Sequence, residues 1–452
     1  MTRRRSLLVS SRALLVGGLT LAGAATAAPA QAQHPFDPAQ QTSVSLRVYT
    51  ERVRPIGTAG GVRVGGDGFG SAVAPVPGHR NQVYGLTDRG PNVDGPDGTK
   101  IEPFPDFAPA IGRFRLHDGR AELVKRITLR AKDGTPYNGQ VDPQASTGET
   151  ITDLDGKVLP PSPYGYDSEG LVALEDGTFW VSDEYGPFIT HFDQRGRALS
   201  RLSPFDGTLP HELALRTPNR GMEGLTITPD GRTLVGIMQS ALTQTDAAAP
   251  KTVAVTRIVT VDLRTKTTHE YAYVLDHPAT TGTAVSEIAA LSATRFVVDE
   301  RDGKLGPAAV KKLWEIDLSQ ATDVGPRTTA GTYDPTTGVR LAGRSLEAVA
   351  GVGDPEATTT ALAAAGVTPV SKKLYLDLGA LTGAAATGGT FFEHDKIEGV
   401  AVLDGGRRLI VSNDSDFGIS ASTGTAPPFG LVAKTRPDGS VDNGQFLVID
   451  RH

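Results

Sequence analysis

Acidic residues recur at two fixed places in this sequence, and they are the side chains best suited to chemistry. Four segments open with a glutamate, continue through an apolar run and a turn, and close with a second apolar run and a polar residue. The opening residues are Glu169, Glu223, Glu287 and Glu398. The closing residues are Asp183, Gln239, Asp299 and the pair Asn413 and Asp414. Such oxygen donors are typical ligands of hard cations.

Each segment is typical of a β-hairpin. Residues paired across an antiparallel hairpin have a constant index sum, so the midpoint of a pair must fall in the turn. Those midpoints fall on Asp176-Gly177, Asp230-Gly231, Ser292-Ala293-Thr294 and Asp404-Gly405-Gly406. A degenerate fifth copy runs from Gly66 to Asp88 around Pro77-Gly78. We therefore expect the opening glutamate and the closing polar residue to lie together, at the end of each hairpin away from its turn.

The spacing of the hairpins predicts an all-β protein with a single β-propeller of six or seven blades. Glu169, Glu223 and Glu287 are 54 and 64 residues apart, and the 111 residues from Glu287 to Glu398 leave room for two units. One repeat architecture accounts for 452 residues better than two domains. Stretches 132–163 and 355–390 are expected to be loop insertions, the second with a short helix around Ala361–Ala365.

In a propeller the first strand of each blade lines the central channel, so the acidic ends of several blades should converge at one channel mouth. A ring of carboxylates repels itself unless a cation is present. The chain has no cysteine, which excludes thiolate metal sites, and oxygen donors favour Ca²⁺. The alternative is structural, because each carboxylate can instead accept hydrogen bonds from backbone N–H groups. The predicted metal ligands, of which three or four are expected to bind, are Glu169, Asp183, Glu223, Asp299, Glu398, Asn413 and Asp414.

Basic residues accompany these acids. Arg89 follows Asp88, Arg220 precedes Glu223, Arg301 follows Asp299 and Glu300, and Lys396 precedes Glu398, so all four are expected at the same mouth. Cationic side chains beside a metal ion suit a phosphate or carboxylate ligand. The alternative is that each base pairs with the acid next to it.

Composition and the N-terminus restrict the function further. With 45 basic and 51 acidic side chains the formal net charge is −6, and no basic stripe predicts a nucleic-acid partner. Residues 1–32 combine Arg3-Arg4-Arg5, an apolar stretch and Ala30-Gln31-Ala32, which is the pattern of a cleaved secretion signal. The arginines resemble a twin-arginine signal, with an ordinary secretion signal as the alternative. Residues 33–452 are then an exported, monomeric propeller domain, and no later run predicts a membrane span.

Three groups of residues resemble a known family. They are Tyr166 to Glu169 with Trp180 to Pro187, Asn219 to Gly224, and Lys396 to Val400 with Ser412 to Asp414. They resemble the bacterial phytase-like family described as having esterase-like activity. The likeness covers roughly Val62 to Val448 and implies a secreted propeller that hydrolyses phosphate or carboxylate esters. The Glu-Gly and Ser-Asp motifs are also similar to calcium-dependent gluconolactonase and strictosidine-synthase-like propellers, in which Glu, Asn and Asp hold a channel metal.

The leading hypothesis is therefore a metal-dependent hydrolase of small phosphate or carboxylate esters. The metal is expected to polarise the ester and activate water, while Arg89, Arg220 or Lys396 stabilises negative charge and Glu184 or Glu300 acts as the general base. Two alternatives stay open: a non-catalytic propeller that binds a ligand or partner, and a calcium-dependent lactonase.

Overall fold

The computed structural model describes residues 43–145, 148–386 and 390–452, all within one compact unit. The predicted secretion signal at 1–32 and the first residues of the predicted propeller domain, 33–42, lie outside the described residues. No helix within the described residues is long and apolar enough to cross a membrane.

The described chain is built around five four-stranded antiparallel blades. Blade 1 contains Ala72–Val76, His79–Leu86, Ala110–His117 and Arg120–Thr128. Blade 2 contains Ser168–Ala173, Phe179–Asp183, Ile189–Phe192 and Ala198–Leu202. Blade 3 contains Met222–Ile227, Thr233–Met238, Val255–Asp262 and Thr268–Val274. Blade 4 contains Ala284–Ala290, Arg295–Arg301, Lys311–Asp317 and Ser371–Asp377. Blade 5 contains Ile397–Leu403, Arg408–Asn413, Gln445–Arg451 and Val44–Arg52.

The blades close into a ring. The first strand of each blade, here called its inner strand, contacts the inner strands of the blades on both sides, in the cycle 1, 2, 3, 4, 5 and back to 1. Blade 5 takes its outermost strand, Val44–Arg52, from the start of the described chain, pairing Leu46 with Ile449. That strand also pairs in parallel with the outer strand of blade 1. The arrangement is a β-propeller, as predicted from the sequence.

The predicted blade number of six or seven is wrong, because the described residues form five blades. The interval from Glu287 to Glu398 contains one blade instead of two. Residues 318–370 are an insertion inside blade 4, and its fourth strand follows only at Ser371–Asp377, which pairs with Lys311–Asp317. A long insertion before the last strand mimics the spacing of an additional repeat.

The insertions carry the remaining elements. Helices lie at Pro278–Thr281, Leu346–Ala350, Pro355–Ala364 and Leu378–Ala385. The third confirms the predicted short helix. Asp354 caps it by accepting a hydrogen bond from Ala357 N. Short 3₁₀ turns lie at Pro96–Gly98, Pro143–Ala145, His211–Leu215, Pro250–Thr252, Asp404–Gly406 and Asp416–Gly418. Additional small strands are Gly57–Ala59, Val62–Val64, Val93–Asp94, Lys100–Ile101, Ile151–Thr152, Val158–Leu159, Thr332–Asp334, Gly338–Leu341, Arg344–Ser345, Ile419–Thr423 and Gly430–Ala433.

The hydrophobic core lies between neighbouring blades. Phe179 and Phe192 of blade 2 pack with Leu86 and Ile111 of blade 1, and each of the other blade pairs has an equivalent buried cluster. The period-two pattern of the strands places apolar side chains on the faces that these interfaces bury. Blade packing thereby fixes the positions of the inner strands around the channel.

The Glu-Gly motif has a structural cause. In blades 2, 3 and 5 the pairing of the first two strands is irregular at the opening glutamate. The glycine that follows has no room for a side chain, since a Cβ on Gly170 would lie 2.5 Å from Leu225 N and one on Gly399 would lie 2.5 Å from Val73 N. The neighbouring inner strand therefore packs directly against this glycine, and the bulge sets the direction of the glutamate before it.

The antiparallel strand order places the starts of the inner strands at one end of the ring. The loops after each second strand and the connections between blades lie at that same end. This end is called the mouth below, and it contains the residues described next.

Candidate metal centre and active site

Three buried carboxylates come together at the mouth of blade 2. Oxygen atoms of Asp167, Glu169 and Glu184 lie within 4.8 Å of one another. Glu169 is on the inner strand, Asp167 precedes that strand, and Glu184 directly follows the second strand. A backbone hydrogen bond holds the start of the inner strand beside the end of the second strand, since Glu184 N donates to Asp167 O at 2.8 Å. The strand pairing of one blade thus assembles this group, which is called the acidic triad below.

The triad has unsatisfied acceptors. Glu184 Oε1 is buried and has no hydrogen-bond partner among the described residues. Burial raises the pKa of Glu169 well above its usual range, with further increases from Asp167, Glu223 and Glu398. Burial, followed by the charges of Glu223 and Asp167, raises the pKa of Glu184 in the same way. The triad is thus an electrostatic environment that favours either a proton or a cation.

Two more of the predicted glutamates lie beside the triad. Glu223 is buried, and its Oε2 has no hydrogen-bond partner in the described part of the chain. Burial and the charge of Glu398 raise the pKa of Glu223 to about 8. Glu398 accepts a hydrogen bond from Arg301, whose Nε donates to Ser286 Oγ at 2.9 Å. Glu398 therefore has a cationic partner, whereas no described residue forms an ion pair with Glu223.

The predicted ligands from blade 5 belong to a neighbouring ionic network. Lys396 Nζ donates to Asp414 Oδ2 at 2.9 Å and to Asp416 Oδ1 at 2.5 Å. Burial and the charge of Asp416 raise the pKa of Asp414 to about 7. Asn413 is occupied by the backbone, with Oδ1 accepting from Gln445 N at 2.8 Å and Nδ2 donating to Asn443 O at 3.3 Å. Asp414 lies close to the mouth, and Asn413 helps to hold the strands.

The comparisons with known proteins identify the family. Residues 67–417 match the model of the phytase-like family, whose description is esterase-like activity of phytase. The chain belongs to this family. A curated relative from Arthroderma benhamiae, described as an uncharacterized secreted protein, is 29% identical over an alignment of 238 residues, and the match covers 42% of this chain and 46% of the relative. This chain therefore matches less than half of the length of that relative.

Solved structures resemble this phytase-like protein only distantly. Pseudomonas fluorescens PhoX in complex with vanadate is 11% identical, with a TM-score of 0.34, and the match covers 90% of this chain and 95% of PhoX. Staphylococcus aureus virginiamycin B lyase is 9% identical, with a TM-score of 0.30, and the match covers 90% of this chain and 99% of the lyase. Both TM-scores are below 0.5, so the propeller is established by the strand order of this chain.

The basic residues of this phytase-like protein differ in their availability. Arg89 is 3% exposed, its Nη1 contacts Glu149 Oε2 at 3.2 Å and its Nε lies 3.7 Å from Asp167 Oδ2. Its guanidinium also lies over the ring of Tyr185. The guanidinium of Arg220 donates no hydrogen bond and forms no direct ion pair within the described residues, although Glu184 and Glu223 are its electrostatic neighbours. Arg220 is therefore available to a ligand, whereas Arg89 positions Asp167.

Two predicted site residues, Asp183 and Glu300, accept hydrogen bonds that hold the fold together. Asp183 accepts hydrogen bonds from the backbone N atoms of Asp167, Tyr185 and Gly186 at 3.0, 2.9 and 3.2 Å. It shapes the turn that carries the triad. Glu300 accepts hydrogen bonds from Tyr273, Lys372 and Asp276 N, between blades 3 and 4.

Asp299 lies in the second strand of blade 4, two residues before the end of that strand at Arg301. It is fully buried, and neither of its carboxylate oxygens has a hydrogen-bond partner in the described part of the chain. Burial raises its pKa, while Arg301 and Lys311 are its nearest compensating charges.

Asp167 is missing from the ligand and catalytic residues predicted from the sequence, although it stands two residues before Glu169. Arg301 is predicted to lie beside the acids at the mouth, but it is not among the predicted catalytic residues. The pairing of the first two strands of blade 2, which brings Asp167 beside Glu184, is what shows the role of Asp167.

Proposed function

We propose that this protein is an exported, metal-dependent hydrolase of phosphate or carboxylate esters, with the metal and the substrate at the mouth of the propeller. The observation that carries the proposal is the acidic triad: three buried carboxylates within 4.8 Å of one another, one with an oxygen that lacks a partner in the described part of the chain. Membership of a family described by esterase-like activity supports the reaction class.

The donor set suits a hard divalent cation. All three triad residues offer carboxylate oxygens. Ca²⁺ prefers such oxygen ligands, whereas softer metals prefer sulfur or nitrogen. Glu184 Oε1 is an unused acceptor in a buried site, and such an atom is costly unless a cation or a proton satisfies it. We therefore assign Asp167, Glu169 and Glu184 as the residues that hold Ca²⁺. When bound, the cation supplies Lewis-acid polarisation of the ester and neutralises the acidic triad.

The chain supplies the remaining functions. Arg220 presents an unpaired guanidinium next to Glu184 and Glu223, where it binds and orients an anionic oxygen of the substrate. Glu223 has a raised pKa and an unpartnered Oε2, so it is the side chain best suited to hold or transfer a proton at the mouth. Arg301 forms an ion pair with Glu398 and fixes its position. Arg89 holds Asp167, and Lys396 holds Asp414.

Export is part of the same proposal. The curated relative is described as a secreted protein, and residues 1–32 have the sequence pattern of a secretion signal. A Ca²⁺-dependent enzyme is well suited to environments outside the cytoplasm, where weak extracellular Ca²⁺ sites are filled. We propose that it acts there as a monomer on small-molecule esters.

Hydrolysis assays test the proposal directly. Purified protein would be incubated with p-nitrophenyl phosphate, p-nitrophenyl acetate and a lactone, before and after EDTA treatment and again after Ca²⁺ addition. We expect hydrolysis of the phosphate or acetate ester that EDTA abolishes and Ca²⁺ restores. No hydrolysis of any substrate with Ca²⁺ present would contradict the enzyme assignment. Hydrolysis of the lactone alone would replace it with a lactonase, and EDTA-resistant hydrolysis would contradict the metal.

A further inference from the structure

Glu51 is a buried carboxylate outside the acidic triad, and the described chain does not compensate its charge. It lies in the strand Val44–Arg52, which closes the propeller ring, and it is 4% exposed. Neither of its carboxylate oxygens makes a hydrogen bond with a described residue, and no described basic side chain forms an ion pair with it. A buried carboxylate without a partner is costly, so this side chain needs a cation or a proton.

A second buried carboxylate adds to this negative charge. Asp67 precedes the inner strand of blade 1, and its Oδ2 accepts a hydrogen bond from Gly444 N at 3.2 Å. Burial raises the pKa of Glu51 well above its usual range, and the charge of Asp67 raises it further. The backbone amide of Phe69 lowers the pKa of Glu51, although neither Glu51 oxygen accepts a hydrogen bond from it. Two buried carboxylates therefore share one region without a basic partner among the described residues.

Two glycines leave space in front of these oxygens. A Cβ on Gly444 would lie 2.2 Å from the backbone oxygen of Asp67 and 2.7 Å from Glu51 Oε1. A Cβ on Gly65 would lie 2.2 Å from Asp67 Oδ1. Two carboxylates and a carbonyl oxygen thus face positions that carry no side chain. Ca²⁺ binds such sets of oxygen donors, and this set contains no sulfur or nitrogen ligand for a softer metal.

A divalent cation satisfies this pair better than a proton does. No hydrogen bond joins Glu51 to Asp67, so the two carboxylates do not share a proton directly. One proton would in any case leave one buried negative charge uncompensated. A Ca²⁺ ion binds its oxygen ligands at about 2.3–2.6 Å, so it can bridge oxygens that are too far apart to form a hydrogen bond. Its two positive charges also balance both carboxylates.

We infer that the Glu51 and Asp67 carboxylates, together with the backbone oxygen of Asp67, form a buried Ca²⁺ site at the closure of the propeller ring. The site joins the closing strand Val44–Arg52 to the segment that leads into blade 1, beside the start of the strand Gln445–Arg451. Its cation stabilises the ring and takes no part in ester hydrolysis. The inference goes beyond the proposed function, and its failure would leave the assignment of the acidic triad intact.

The buried cation should exchange slowly with solvent. Reaching it requires the closing strand to open, and that strand is paired with Gln445–Arg451 from Val44 to Thr50. EDTA should therefore remove Ca²⁺ from the acidic triad at the mouth and leave one Ca²⁺ per chain at the ring closure.

Metal content tests the site directly. The purified protein would be treated with EDTA and desalted, and its Ca²⁺ would be measured by inductively coupled plasma mass spectrometry. We expect one Ca²⁺ per chain in the unmodified protein and in Glu169→Gln, and none in Glu51→Gln, which lacks the charge that holds the cation. Glu122→Gln is the matched control and should keep its Ca²⁺. Glu122 lies opposite Arg52 on the neighbouring strand, and its side chain is 52% exposed.

Three results would overturn the site. They are an unmodified protein without Ca²⁺ after EDTA treatment, Ca²⁺ that stays in Glu51→Gln, and a retained Ca²⁺ that is lost in Glu169→Gln and therefore belongs to the triad. Asp67→Asn should also lose the cation and replaces Glu51→Gln if that variant does not fold, because an asparagine oxygen can still accept the hydrogen bond from Gly444 N.

Hydrogen exchange provides a second measurement of the same site. Without the cation the closing strand should open more often, so the amides of Val44–Arg52 should exchange roughly tenfold faster or more in Glu51→Gln. Exchange at the rate of the Glu122→Gln control would contradict a cation that holds the ring closed.

Discussion

Two groups of buried carboxylates in this propeller resemble each other in composition and differ in their source of positive charge. The acidic triad at the mouth has no basic side chain in its centre. The second group, beneath the insertion of blade 4, surrounds Arg257, which is 1% exposed. Arg257 Nε lies 3.0 Å from Glu270 Oε2, and its Nη1 contacts Glu347. Glu212 is adjacent and accepts a hydrogen bond from Tyr333 at 2.5 Å.

The difference shows how a structural acidic cluster can be told from a binding site. Around Arg257 the chain provides its own cation, and the ion pairs connect blade 3 with helix Leu346–Ala350. At the mouth Arg89 pairs with Asp167 at the edge of the triad, and no described residue forms an ion pair with Glu169 or Glu184. Buried charge without an internal partner is expensive. We therefore propose an external cation for Glu169 and Glu184, whereas Glu270 and Glu347 have Arg257 as their ion-pair partner.

Removing Arg257 should have the largest effect on stability. Arg257→Leu leaves Glu270 and Glu347 buried without their cation, and such a change costs about 3–5 kcal/mol. We expect the free energy of unfolding from urea denaturation to fall by about that amount, equally with Ca²⁺ and with EDTA. Arg232→Leu is the control, since the Arg232 side chain is 80% exposed. A loss for Arg257→Leu as small as that of the control would contradict the structural role of its cluster.

The stability effect of a change in the triad should depend on Ca²⁺, unlike that of Arg257→Leu. Glu169→Gln removes a proposed ligand, and we expect hydrolysis to fall about a hundredfold and the Ca²⁺-dependent increase in Tm to disappear. Without metal the same change relieves carboxylate repulsion, so the variant should be at least as stable as the unmodified protein in EDTA.

Glu287→Gln is a matched control for Glu169→Gln, because Glu287 lies in the inner strand of blade 4, at the equivalent position of the sequence repeat. Its Oε1 accepts from Leu225 N at 3.0 Å and from Ile288 N at 2.9 Å, and a glutamine oxygen can keep both bonds. We expect its activity and its Ca²⁺ response to stay unchanged. Equal losses in Glu169→Gln and Glu287→Gln would contradict the assignment of the triad as the metal site.

The pH dependence of the Ca²⁺ response should test the mouth next. Glu223 has a folded-state pKa of about 8 against an ordinary value of 4.5, so the metal-free folded protein keeps a proton that the unfolded chain has lost between these values. Metal-free stability should therefore fall as pH rises from 4.5 to 8, by about 1 kcal/mol or more. Bound Ca²⁺ favours the ionised carboxylates, so the Tm difference between Ca²⁺ and EDTA should grow over the same range. A difference that is constant with pH would contradict linkage between the mouth carboxylates and the metal.

The sequence predicts the hairpin turns well because they depend on local residues, as Gly177 and Gly231 show. Of the four predicted pairs, Glu287 with Asp299 matches the observed register. In blades 2, 3 and 5 an irregularity at the opening glutamate changes the pairing, so Ser168, Met222 and Ile397 pair with Asp183, Met238 and Asn413. The blade count was not predictable in this way, since the insertion 318–370 lies inside a blade and only long-range pairing shows it.

The prediction of the site was limited for related reasons. Glu287 looks equivalent to Glu169 in the repeat, but it is followed by Ile288 instead of glycine, and its side chain accepts bonds from the backbone of blade 3. Glu300 and Arg301 are neighbours in sequence, yet adjacent residues of a strand face opposite sides. Arg301 consequently reaches the mouth, and Glu300 lies between blades 3 and 4.

The two arginines near the triad offer the smallest and most specific test of the comparison. Arg220 has no direct partner within the described chain, so Arg220→Gln should lower kcat/KM for an anionic ester by about tenfold, the effect of one charge-assisted hydrogen bond, with little change in Tm. Arg89→Gln should instead lower Tm, because it removes the buried guanidinium that pairs with Asp167 and Glu149. Its activity should recover in part at high Ca²⁺ concentration, since the defect lies in the positioning of Asp167. If both variants lost stability equally, Arg220 would be a structural residue like Arg89 and Arg257, and the mouth would have no basic group free for a substrate.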